Sequence, residues 1–78
     1  MNDDLVNAVE ELLARDREVR RVVSAMCCSK EFFAHDRYRR TREQLEEYVA
    51  ELRGRCPGRT TRDYHEVLKR IYVDAYIR

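Results

Sequence analysis

Apolar residues recur along this chain every three or four positions, in runs divided by short polar breaks. Leu5, Val9, Leu12, Val19, Val23 and Met26 keep that spacing, the mark of a helix with one buried stripe. Asp16 falls on the stripe, inside the strongly polar segment ARDRE. The pattern therefore predicts a kinked long helix or two consecutive helices, about 3–14 and about 17–27. Asn2, Asp3 and Asp4 offer a cap and acidic first-turn residues, which suit the positive end of a helix dipole.

Farther on, Ser29 is placed to cap a short turn carrying Phe32 and Phe33, and HDRYRR reads as a connector. Thr41 and Gln44 stand three apart as the two ends of a capping box. The helix they start buries Leu45, Tyr48, Val49 and Leu52 and stops at Gly54. RCPGRT is the clearest loop, because glycine occurs only at 54 and 58 and proline only at 57. Thr60 with Asp63 then signals the start of a last helix. No long stretch alternates with a period of two, so the expected class is all-α, a small bundle of three or four helices.

The last helix, TTRDYHEVLKRIYVDAYIR over residues 60–78, carries more apolar surface than one stripe needs. At about 100° per residue, Val67, Leu68, Ile71 and Ala75 lie within about 60° of the line through Tyr64. Tyr72 stands near the edge at about 80°, while Tyr76, Val73 and Ile77 stand at about 120°, 180° and 220°. A helix apolar around that much of its circumference either sits centrally in the bundle or offers surface to a partner. The tyrosines favour a partner, since the ring sits at an apolar edge while the hydroxyl stays wet.

Composition narrows the field. Seventy-eight residues make one domain, residues 1–78, near the lower limit of what folds without staples. Hydrophobic residues at 44% and charged ones at 40% describe an ordinary globular chain and not a disordered tail. A net charge of +1 argues against a generally polyanionic partner. No apolar run approaches the roughly 18 residues of a membrane span, so no membrane association is expected. The opening MNDD lacks the basic segment and apolar core of a secretory signal. Three cysteines, with Cys27 and Cys28 adjacent, suit reduced thiols in an intracellular protein better than a disulfide framework.

Two segments, EQLEEYVAELRG at 43–54 and YHEVLKRIY at 64–72, resemble the KIX domain of the CREB-binding-protein family of transcriptional coactivators. VRRVVSAM at 19–26 is similar to the end of that family's first helix, and Arg37, Arg39 and Arg40 fall in the basic entry to its second. The resemblance covers about residues 17–77 and leaves 1–15 as an additional N-terminal helix through Leu5, Val6, Val9, Leu12 and Leu13. It implies a three-helix module that binds amphipathic activation-domain helices, has no catalytic activity and no cofactor, and works in the nucleus; without that function a cytoplasmic location is expected. One groove would have Tyr64, Val67, Leu68 and Ile71 as its floor, with the Tyr72 hydroxyl and the Arg21 cation at its rim. A second apolar site would comprise Met26, Cys27, Leu45 and Tyr48. Ala14 and Glu18 depart from the family, standing where it has leucines lining the first groove, and Tyr76 replaces a phosphate-assisting lysine. The first groove is therefore expected to be shallow or closed, and the N-terminal helix is expected to cover one of the two grooves or to pair with a second copy.

The rival chemistries are weaker. Cys27, Cys28, His35, Cys56 and His65 include zinc-binding residue types, but no C-x-x-C or H-x-x-x-H pair is present, so no metal site is assigned. Arg37, Arg39, Arg40 and Arg42 are the candidate anion contacts, and with Arg53, Arg55, Arg59 and Arg62 they keep nucleic-acid binding as an alternative. No Ser/His/Asp arrangement or glycine-rich phosphate loop is present, so no enzyme is expected. A self-associating homodimer is the remaining alternative, because it explains the same surplus of apolar surface.

Overall fold

In the computed structural model, which describes residues 3–77, four α-helices pack together without strands among the described residues. They are α1 (Asp3–Arg15), α2 (Arg17–Cys28), α3 (Arg39–Arg55) and α4 (Thr61–Tyr72). A short 3-10 turn, Asp36–Tyr38, leads into α3, and a π-helical turn, Val73–Ile77, continues α4. The cap expected from Asn2 and the Asp3 side chain lies outside the described residues.

Asp16 divides the first stripe in two. Its backbone is extended, at φ −140° and ψ 120°, and its carboxylate accepts the Glu18 amide at 2.9 Å. That single residue thus caps α2 immediately after α1 ends, which is why a polar residue sits on an apolar stripe. From the next turn of α2, Arg20 donates to the Leu13 carbonyl and satisfies one of the acceptors that the end of α1 leaves over.

Ser29 ends α2 and takes the Glu31 amide on its hydroxyl at 3.3 Å, holding the turn that points Phe32 inward and leaves Phe33 out. Thr41, by contrast, does not cap α3. The 3-10 turn flows into the helix at Arg39, so Thr41 is already helical and cannot adopt the extended backbone of a cap. At its other end α3 runs to Arg55, one residue past Gly54. Gly58 turns the following loop at φ +92°, a conformation that side chains with a Cβ resist. Thr60 and Asp63 do form the capping box, each side chain accepting the other's amide at 3.1 Å.

The core draws on every helix. Leu5, Ala8, Val9, Leu12 and Leu13 from α1 meet Val19, Val22, Val23 and Met26 from α2, and Leu45, Tyr48, Val49 and Leu52 from α3. Phe32, Cys56, Tyr64 and Leu68 complete it. The N-terminal helix is therefore a wall of the bundle rather than an appendage. Two ion pairs join it to α3, Glu11 with Arg55 at 2.9 Å and Arg15 with Glu51 at 3.0 Å. Advancing along α1 while retreating along α3, these pairs show that the two helices run antiparallel. Being exposed, each contributes at most about 1 kcal/mol.

Candidate interaction surface

Helix α4 touches all three other helices, and this decides which of its faces stay open. Tyr64 and Leu68 are completely buried, so they cannot floor an open groove. The Tyr64 hydroxyl donates to the Cys56 carbonyl at 2.6 Å, and the Arg53 guanidinium lies 5.2 Å from its ring centre. The expected trough is filled by the bundle itself. Val67 and Ile71 remain half-buried and line a cleft of about 390 Å³ against Leu5 and Val6 of α1, rimmed by Arg59, Arg70 and Asp74.

The second expected site is also interior. Met26, Leu45 and Tyr48 belong to the core, and Cys27 packs half-buried against it. Burial pushes the Cys27 thiol pKa up, with the neighbouring Cys28 adding to the effect. Arg21 does not reach the Tyr72 rim through any observed bond. It pairs instead with Glu18 on its own helix, with Nε 3.2 Å from the carboxylate. Among the arginines at the entry to α3, Arg37, Arg39 and Arg40 are exposed. Arg42 is committed to structure, donating to the Phe32 and His35 carbonyls at 2.7 and 2.8 Å and locking the turn before α3. No three His, Cys, Asp or Glu side chains among the described residues are grouped so as to hold a metal ion.

What stays open is the far end of α4. Val73, Tyr76 and Ile77 are 38%, 45% and 52% exposed, beside the half-buried Tyr72. Tyr72 and Tyr76 stack with centroids 5.6 Å apart, and Arg20 stands 5.4 Å from the centre of the Tyr76 ring. Because Arg20 is also tied to the end of α1, it pins this aromatic pair to the α1–α2 junction. Arg20, rather than Arg21, is thus the cation at the tyrosines. Reading along single helices cannot find it, because the contact spans 56 positions between residues 20 and 76.

A second apolar feature lies between the turn before α3 and the start of α4. Phe33, 57% exposed, faces His65 at 5.3 Å over a cleft floored by Leu45 and Val49. Burial lowers the His65 pKa and nearby Lys69 lowers it further, against a smaller opposing effect from Glu66. No helix of the described residues is long and apolar enough to cross a membrane. No family model, no curated protein and no solved structure matches the chain, which leaves the fold and its surfaces to carry the functional reading.

Proposed function

We propose that this protein is a non-catalytic interaction module of the KIX kind, binding an amphipathic helix of a partner in transcriptional regulation. One observation carries the reading: the end of α4 leaves Val73, Tyr76 and Ile77 exposed together, next to Tyr72. Single exposed apolar residues are ordinary, whereas a contiguous group on one helix marks a contact surface. Arg20 stands 5.4 Å from the centre of the Tyr76 ring, while Arg70 and Asp74 lie on either side of Val73, so an apolar helix face with a carboxylate toward Arg20 fits best. The resemblance of residues 17–77 to KIX supports the same class of partner. With α1 packed against α4, the contact face moves from the middle of the last helix to its end.

The test is fluorescence anisotropy with a labelled synthetic helix bearing leucines at i, i+3, i+4 and i+7 and glutamates elsewhere. Binding is expected, and Ile77→Asp weakens it by about tenfold or more without loss of helical circular dichroism. An absence of binding to the unaltered protein contradicts the proposal. Salt separates the nucleic-acid alternative: a phosphate-driven complex loses about 10³–10⁵ in affinity between 50 and 200 mM salt, far more than an apolar helix contact does.

A further inference from the structure

Asp63, Glu66, Arg70, Asp74 and Ile77 run down the outward side of α4 and its π turn, three or four positions apart, with Val73 beside Asp74, and all six are exposed. Their order is polar at one end and apolar at the other, with Arg70 before Val73 and Asp74 after it. Arg70 and Asp74 stand four apart on one helix, a spacing that often yields an ion pair. Among the described residues, neither is in one. The π turn that begins at Val73 takes in Asp74 but not Arg70, and changes the helical register between them. Two opposite charges are thus left facing water on either side of an apolar residue.

We propose that this stripe pairs, antiparallel and about a twofold axis, with the same stripe of a second copy, and so masks the helix-binding face at high protein concentration. The inference rests on that face being a helix-binding surface, since a face that takes an amphipathic helix can take α4. An antiparallel crossing near Val73 sets Arg70 of each copy beside Asp74 of the other. A parallel crossing sets Arg70 on Arg70 and Asp74 on Asp74, so charge selects the antiparallel arrangement. Val73 and Ile77 of both copies lose their water in the same contact.

The available area sets the strength. A standard interface takes about 800 Å² from each partner, about one seventh of the 5446 Å² that this chain exposes. Residues 63–77 span only about 20 Å along the helix axis. The pairing is therefore weak and reversible, with dissociation at tens to hundreds of micromolar, on the order of 5–7 kcal/mol.

Analytical ultracentrifugation of the full chain from about 5 to about 500 µM brackets that range. The average mass should rise from 9.4 kDa toward twice that value as concentration increases. Arg70→Asp and Asp74→Arg should each hold the protein monomeric, and the combined R70D/D74R exchange should restore the dimer. Circular dichroism on all variants establishes that they remain folded. A single mass for the unaltered chain throughout, or a charge exchange that fails to restore association, overturns the self-pairing. Peptide anisotropy at about 5 µM, where the chain is monomeric, is read separately. Peptide binding without dimers defeats only the self-pairing, whereas dimers without peptide binding defeat the partner-helix reading.

Discussion

The hydroxyl of Tyr64 donates to the carbonyl of Cys56 at 2.6 Å from a side chain with no exposed surface, joining α4 to the loop that precedes it. Tyr64 is therefore a structural residue. Tyr64→Phe leaves the Cys56 carbonyl without this donor and should cost about 1–3 kcal/mol. Tyr64→Ala also opens a cavity and should cost about 3–5 kcal/mol or prevent folding. Urea denaturation of the two variants separates the hydrogen bond from the ring.

The contrast between Tyr64 and Thr60 shows what could be read in advance. The Thr60–Asp63 box was legible because both partners lie within four residues and need nothing from the rest of the fold. Tyr64, Val67, Leu68 and Ile71 were legible as one stripe, but not as interior or surface. That choice depends on where α1 packs, and periodicity within α4 carries no information about it. Thr41 misled for a related reason: its sequence suits a cap, but the 3-10 turn begun at Asp36 had already started the helix. The surplus apolar end of α4 was legible because Val73 and Ile77 lie so far around the helix from Tyr64 that no single neighbour could cover both faces.

If α1 is a wall of the bundle, its leucines should matter as much as those of α3. Leu12→Ala and Leu45→Ala, both buried, should each cost about 2–5 kcal/mol. A loss near zero for Leu12→Ala would return α1 to the status of an appendage. Asp16→Ala should remove the cap of α2 at a cost of about 0.5–2 kcal/mol.

His65 should make stability depend on pH. Its folded pKa lies below the ordinary 6.5, first through burial and then through Lys69. The unfolded chain therefore binds more protons than the fold between the folded pKa and 6.5, and stability rises with pH across that window. The contribution is fully present above 6.5 and is lost as pH falls through the folded pKa. His65→Gln should flatten that part of the profile when urea midpoints are compared at closely spaced pH values.

Thiol reactivity should follow exposure. Cys28 is exposed, Cys27 half-buried with its pKa raised, and Cys56 buried. A disulfide reagent at neutral pH should modify Cys28 first, Cys27 more slowly and Cys56 only on unfolding, as peptide mapping by mass spectrometry can follow.

Tyr72 stands at the edge of the open face, stacked on Tyr76 and half-buried. Tyr72→Ala should lower affinity for the leucine–glutamate probe helix and destabilise the fold by less than Tyr64→Ala does, because less of its ring is enclosed. A global collapse of the variant would assign Tyr72 to the core.

The most direct measurement is amide chemical-shift mapping by NMR, titrating the probe helix into the isotopically labelled protein at low concentration. Binding at the end of α4 should concentrate the shifts at Ile71–Ile77 and at Arg20, with the arginine entry to α3 unmoved. Shifts centred on Arg37, Arg39 and Arg40, or none at all, would contradict it.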